Sequence, residues 1–96
     1  MPPRVIFSPD AVRDLESIFE YIAQDSPFYA GQVVDDIYAR TQILLTQPEL
    51  GRIIPERKDG VSREVFQHSW RIMYTIEFLP DILITRIIHF AQDFRS

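Results

Sequence analysis

The chain has 96 residues, no cysteine, 25% charged residues and a formal net charge of −4. This length predicts one domain over residues 1–96, and the absence of cysteine excludes a disulfide framework and a thiolate metal site. The negative charge argues against direct sequence-specific binding of nucleic acid, which needs clustered Lys and Arg.

A membrane role is also not expected from the sequence. No apolar run approaches the roughly 20 residues that a membrane span needs. The start of the chain, MPPRVIF, lacks the apolar segment of a secretory signal. We therefore expect a cytoplasmic protein with no membrane partner.

The first predicted elements are a short strand at residues 4–7 (RVIF) and a helix that follows it. Ser8, Pro9 and Asp10 form a helix start, because serine caps, proline suits the first helical position and an acid complements the helix dipole. Apolar residues then recur at spacings of three and four, at Ala11, Leu15, Ile18, Phe19 and Ile22. This spacing predicts an amphipathic helix with one face toward a core.

A second serine–proline pair, Ser26-Pro27, predicts a second helix that runs to about Gln47 and is ended by Pro48. The apolar face of this helix comprises Ala30, Val33, Val34, Ile37, Thr41, Leu44 and Leu45. The connection between the two helices is short, so we expect an antiparallel helical hairpin whose apolar faces cover a sheet.

The second half of the chain predicts a loop followed by three strands. Residues 49–62 contain two glycines and mixed charges, which favours a loop or a very short ordered piece. A strand is predicted over residues 63–68, and two more flank a hairpin turn at Leu79-Pro80-Asp81.

The two strands around that turn differ in pattern. Before the turn, Ile72, Tyr74, Ile76 and Phe78 alternate with Arg71, Met73, Thr75 and Glu77, so the first set should face the core. After the turn, apolar residues occupy both alternating positions, which predicts a central strand covered on both faces. The order β-α-α-β-β-β predicts an α+β domain, with the helical hairpin packed on one face of a small antiparallel sheet.

Five stretches of the chain form an ordered set. They are SPDAVRDLESIFEYIA at residues 8–23, PELGR at residues 48–52, RE at residues 63–64, WRIMY at residues 70–74 and ITRIIH at residues 84–89. In this order, within fewer than a hundred residues, they resemble the RelE/ParE superfamily of type II toxin–antitoxin toxins, closest to the ParE-like group.

The resemblance implies a function by binding. ParE-like toxins inhibit DNA gyrase, whereas RelE-like toxins are ribosome-dependent mRNA endoribonucleases, and both kinds are neutralised by a cognate antitoxin. The expected partners are thus an antitoxin, in a hetero-oligomer with the toxin, and DNA gyrase as the target. No cofactor is expected, and growth arrest is the expected effect.

The endoribonuclease alternative needs a base, phosphate-binding cations and an acid. Positions that match ribonuclease members offer Glu56 as the base, Arg63 and Arg71 as phosphate clamps and His89 as the acid. We expect no catalytic set, because Phe90 stands where such a member has tyrosine and because the chain has a single lysine.

Each of these residues also has a structural interpretation. Arg71 can pair with Glu64 or Glu77 across neighbouring strands, and Glu56 can simply be solvated. His89, at the end of an apolar strand, is typical of a hydrogen-bonded structural histidine. Two histidines without further ligands at suitable spacing predict no metal site.

The residues predicted to bind a partner lie at the hairpin tip, in the last strand and near the C-terminus. They are Phe28, Tyr29, Arg86, Phe94 and Arg95. Phe28 and Tyr29 are aromatic where a tip is usually polar. Arg86 interrupts an apolar strand, so it must either reach solvent or find a carboxylate, and a structural ion pair is favoured over a contact with a ligand. Residues 91–96 correspond to the segment linked to toxicity in ParE-like toxins, with Gln92 where the group often has arginine.

Overall fold

Two helices lie across one face of a five-stranded sheet in the computed structural model, which describes residues 1–90. The elements are β1 (Val5–Phe7), α1 (Pro9–Ala23), α2 (Pro27–Ile43), β2 (Arg52–Ile53), a 3₁₀ turn (Pro55–Arg57), β3 (Ser62–Gln67), β4 (Trp70–Thr75) and β5 (Ile82–His89). The predicted α+β class and element order are confirmed, with β2 and the 3₁₀ turn added inside the predicted loop.

Both helices begin where the serine–proline pairs predict. The Ser8 hydroxyl accepts a hydrogen bond from the Ala11 N–H at 3.1 Å, and the Ser26 hydroxyl accepts one from the Tyr29 N–H at 3.1 Å. Each serine thereby satisfies a main-chain donor that the first helical turn leaves without a partner.

The end predicted for α2 was wrong by four residues, since the helix stops at Ile43 and not at Gln47. Beyond Ile43 the main-chain N–H groups of residues 44, 45 and 46 bond to carbonyls three residues back, at 3.1 to 3.2 Å. These tighter bonds close the helix before proline is reached, because they use the carbonyls that a continuing α-helix would need.

The core lies between the helical hairpin and the sheet. The helices contribute Ala11, Ile18, Val33, Ile37 and Leu44, and the sheet contributes Val65, Ile72, Tyr74, Ile82, Ile84 and Ile87. The predicted helix faces are confirmed at these positions, except that Phe19 is exposed at the margin. Burial of this set is the main favourable term that fixes the hairpin on the sheet.

The sheet is mixed and not antiparallel as predicted. Its strand order is β1-β5-β4-β3-β2, with β1 parallel to β5 and every other pair antiparallel. The parallel pair arises because the helical hairpin separates β1 from the antiparallel strands, so β1 pairs with the last strand of the chain.

Strand β5 is a central strand as predicted, between β1 and β4, but full burial is confined to its core face, and a β-bulge explains the apolar pattern. Tyr74 pairs with Ile84 and Met73 with Arg86, so Thr85 is an extra residue in β5. Its hydroxyl donates to the Met73 carbonyl at 3.1 Å. The bulge exchanges the two faces of the strand, so apolar residues at both alternating positions serve one core face.

The strand before the turn ends earlier than predicted. Strand β4 stops at Thr75, and Phe78, expected on the core face, is 54% exposed in the turn. The Asp81 N–H bonds to the Phe78 carbonyl at 3.0 Å, which places the reversal of the chain around the predicted Leu79-Pro80-Asp81 turn. No helix among the described residues is long and apolar enough to cross a membrane.

Candidate functional site

A buried carboxylate organises the charged residues on the sheet face opposite the helices. The Glu64 side chain, 1% exposed, accepts a hydrogen bond from Arg71 Nε on one oxygen and from Arg52 Nε, at 2.5 Å, on the other. Arg71 Nη2 also lies 3.7 Å from a carboxylate oxygen of Glu56. Two guanidinium groups thus balance a charge that would be costly to bury alone.

Arg71 therefore forms the structural ion pair with Glu64 that its position in β4 allows. Its side chain is 9% exposed and its Nε is bound to Glu64. Glu56, by contrast, is mostly exposed. Of the four residues in the cleavage hypothesis, these two are the ones that the structure brings together.

Arg63 contacts the loop that precedes β2. Its Nη1 donates to the Gly51 carbonyl at 2.7 Å and to the Glu49 carbonyl at 3.3 Å, and its Nη2 lies 3.5 Å from the Glu49 carboxylate. Arg63 pairs in register with Tyr74, a core residue, so its side chain starts on the helix-facing side of the sheet. Arg63 and Arg71 consequently leave the sheet on opposite faces.

The same loop is also held by the hydroxyl of Tyr74, a core residue. The Tyr74 hydroxyl donates to the Pro48 carbonyl at 2.7 Å and accepts from the Gly51 N–H at 2.9 Å. Burial raises the pKa of this hydroxyl above its ordinary value of 10.0, so it stays protonated as a donor. A Cβ at residue 51 would lie 2.7 Å from the Tyr74 oxygen, which explains the glycine in the PELGR stretch.

His89 lies on the opposite face of the sheet from Arg71. Trp70 pairs with His89 and Arg71 with Ile88, and neighbouring positions on a strand point to opposite faces. The imidazole meets the Trp70 ring edge-on, with ring centroids 4.8 Å apart. His89 therefore does not share a face with the Glu56–Arg71 pair.

A cleft of about 360 Å³ lies between α1 and the end of β5. It is lined by Asp14, Ser17, Ile18, Tyr21, Trp70, Arg86, Ile87, Ile88 and His89. Its walls combine aromatic and aliphatic side chains with a few polar groups, which is the usual composition of a binding site. The sequence did not identify the residues that line this cleft, because the lining depends on how α1 crosses β5.

The carboxylate that Arg86 needs is Asp14 of α1. Arg86 Nε and Nη2 donate to the two carboxylate oxygens at 2.8 and 3.1 Å, and these hydrogen bonds raise the pKa of Arg86. Asp14 also accepts from the Ile87 N–H at 2.8 Å. Strand β1 ends at Phe7, opposite Ile84, so Asp14 covers a main-chain donor that β1 does not reach.

Phe28 and Tyr29, which were also predicted to contact a partner, are not among the residues that line this cleft. Phe28 is 82% exposed and Tyr29 is also exposed, both in the first turn of α2. Their exposure fits a contact surface. Phe94 and Arg95 lie outside the described residues.

Two solved structures with a similar fold come from toxin–antitoxin systems. A chain of the chromosomal ParDE toxin–antitoxin system from P. aeruginosa has a TM-score of 0.74 at 19% identity, over 92% of this chain and 96% of that one. A chain of the toxin–antitoxin complex RelBE2 from Mycobacterium tuberculosis has a TM-score of 0.61 at 22% identity, over 93% and 99%. At these identities the likeness is one of fold.

The family follows from the sequence itself. Residues 5–94 match the family model described as the ParE toxin of the type II toxin–antitoxin system parDE. No curated protein matches the chain. The chain belongs to the ParE toxin family, which confirms the predicted resemblance and makes it a ParE-type toxin.

Proposed function

We propose that this toxin acts in the cytoplasm by binding DNA gyrase, that it cleaves no RNA itself, and that a cognate antitoxin neutralises it. The observation that carries the proposal is the family match over residues 5–94. Gyrase inhibition is what the ParE-like resemblance implies, and an antitoxin partner agrees with the toxin–antitoxin systems that share the fold.

The arrangement of the four cleavage candidates supports binding over catalysis. A general acid and a phosphate-binding cation must reach one phosphate within hydrogen-bond distance. Here Arg71 is bound to Glu64 on one face of the sheet, while His89 packs against Trp70 on the other. Arg63 is directed to the carbonyls of the loop before β2.

The sheet also limits where an extended antitoxin segment can add. In the part of the chain that the structure describes, β1 and β2 each pair on one side, so each is an edge that can accept another strand. The edge of β5 beyond Ile84 differs, because Asp14 already accepts from the Ile87 N–H. The sequence already favours a free sheet edge for an extended antitoxin strand and a groove beside the helices for an antitoxin helix, and we assign strand addition to β1 or β2 and the helix to the cleft beside α1.

Purified toxin tests the target directly. We expect it to inhibit supercoiling by gyrase at near-stoichiometric amounts and to leave ribosome-bound mRNA intact. His89→Gln should retain this inhibition, with His68→Gln as a matched control, since His68 is exposed and pairs with Asp36 at 3.1 Å. Unchanged supercoiling at a large excess of toxin would overturn the proposal.

The endoribonuclease alternative keeps one structural observation in its favour. Glu56 and Arg71 lie 3.7 Å apart on the sheet face opposite the helices, and the fold is shared with RelBE2. If mRNA is cut on ribosomes and His89→Gln abolishes the cuts while His68→Gln does not, cleavage is the activity. Growth arrest that persists in His89→Gln with no cuts excludes it.

A further inference from the structure

Arg52 is held in place by two contacts that leave the end of its guanidinium group exposed. Its Nε donates to the buried Glu64 carboxylate at 2.5 Å, and its Cζ lies 5.6 Å from the centroid of the Phe66 ring. The side chain is nevertheless 71% exposed. An ion pair with a buried partner and a cation–π contact together fix the orientation of a side chain that is otherwise flexible.

The two terminal nitrogens of Arg52 have no hydrogen-bond or ion-pair partner among the described residues 1–90. Their N–H groups lie at the outer end of the guanidinium fork, because Nε is used by Glu64. Such a fork, already oriented, binds a carboxylate or phosphate through two parallel hydrogen bonds. Little side-chain entropy remains to be lost when the anion binds.

We propose that Arg52 is the receptor for an acidic side chain of a protein partner, with Phe66 packing against an apolar neighbour of that acid. The geometry supplies the surroundings for both groups. Phe66 meets the Phe90 ring edge-on with centroids 5.8 Å apart, so an aromatic surface lies beside the charged fork. This aromatic surface and the guanidinium fork together form the Arg52 site.

The charge of the Arg52 site favours a carboxylate over a nucleic-acid backbone. Glu64 and Glu56 balance the charges of Arg52 and Arg71, so these two arginines together contribute no excess of positive charge. Binding to a phosphate backbone relies on several cations in a row. One bidentate arginine beside an aromatic ring is sufficient for a single Asp or Glu of a peptide.

The partner that we assign to the Arg52 site is the antitoxin, so this step rests on the proposed function. Arg52 belongs to β2, which within residues 1–90 is an edge strand paired with β3. An antitoxin segment that adds along β2 would carry its side chains past the guanidinium fork, alternately on each face. One acidic residue on the proper face then meets Arg52.

The test compares three toxin variants for affinity toward the antitoxin encoded beside the toxin gene. Arg52→Gln removes the fork and Arg52→Lys keeps the charge without it, while Arg57→Gln removes an equal charge from the neighbouring 3₁₀ turn as a control. We expect Arg52→Gln to weaken binding about 10- to 100-fold and Arg52→Lys nearly as much, with Arg57→Gln near wild type. Glu64 keeps Arg71 in all three, so the fold should persist, which thermal unfolding checks.

Each outcome decides the point. Loss of affinity that is recovered by exchanging the charges, Arg52→Glu in the toxin with one acid of the antitoxin changed to Arg, supports the inference. Equal affinity in Arg52→Gln and wild type overturns it. Weaker binding to a single-stranded oligonucleotide in Arg52→Gln, with antitoxin affinity unchanged, would assign the fork to phosphate instead. Supercoiling assays on the same variants test a different claim. A toxin that does not inhibit gyrase contradicts the proposed function, whereas the comparison of antitoxin affinities still tests the role of Arg52.

Discussion

Replacing Glu64 by Gln should lower the free energy of unfolding of the toxin more than any other substitution that removes one charge. The substitution removes the buried carboxylate that binds Arg71 Nε, so that Arg71, whose side chain is 9% exposed, keeps the more distant Glu56 carboxylate at 3.7 Å, while Arg52 can return to water. Removing one partner of a buried ion pair typically costs about 3–5 kcal/mol. We expect about 3 kcal/mol here, because glutamine still offers one oxygen to Arg71 and because the loss at the exposed Arg52 is small.

Urea denaturation of the purified variant measures this loss. A decrease of about 3 kcal/mol in a domain of this size lowers the Tm by more than about 10 °C, which a thermal scan detects independently. Glu77→Gln is the matched control, since Glu77 is exposed and should change stability by less than about 0.5 kcal/mol. The double variant Glu64→Leu with Arg71→Met should recover most of the stability, because an apolar pair leaves no charge buried. A loss below about 1 kcal/mol in Glu64→Gln would refute the assignment of Glu64 as the centre of the network.

Three further changes test other contacts. Tyr74→Phe removes the hydroxyl that satisfies the buried Gly51 amide, so the free energy of unfolding should fall by about 1–3 kcal/mol in urea denaturation. Asp14→Asn should cost only about 1 kcal/mol, since its arginine partner on β5 is largely exposed, and should increase hydrogen exchange at the N–H of residue 87. Hydrogen bonds from the Ser62 hydroxyl and then from main-chain N–H groups lower the pKa of Asp59 below its ordinary 3.8. The stabilisation by Asp59 is therefore complete above pH 3.8 and is lost as the pH falls through the lower folded-state pKa, so urea midpoints of wild type and Asp59→Ala should converge in acid.

The helices could be predicted from the sequence because their signals are local. A serine, a proline and an apolar spacing lie within a few residues of one another, and α1 and α2 begin where those signals place them. Two carboxylates could also be named as partners of Arg71 from the sequence, and one of them, Glu64, does pair with it. Arg86 required a carboxylate for the same reason, although Asp14 lies 72 residues away and could not be identified beforehand.

The sheet could be predicted only in part, because strand pairing is not local. Nothing in a three-residue strand specifies that β1 lies parallel to β5, and the two residues of β2 have no alternation to recognise. Missing β2 also hid the Arg52 site, since Arg52 reaches Glu64 only through the pairing of β2 with β3. The residues that line the cleft beside α1 could not be identified for a related reason, because they come from α1, β4 and β5 and are brought together only by the fold.

The bulge in β5 has a consequence for function as well as for the fold. Continued alternation from Ile84 would direct Arg86 into the core and would put His89 on the face that Arg71 uses. The extra residue, Thr85, reverses this assignment, so that Arg86 reaches solvent and the last residue of the strand returns to the helix side.

The separation of histidine from arginine is thus a result of strand register and not of loop conformation. A loop can move to bring two groups together, whereas a register shift in β5 would move every side chain beyond the bulge to the opposite face. Such a shift would expose Ile87, which is 2% exposed, and would bury the Arg86 charge away from Asp14. Burial of the core therefore stabilises the arrangement in which His89 and Arg71 lie on opposite faces of the sheet. This arrangement supports an activity that depends on binding a partner over one that requires both side chains at a single phosphate.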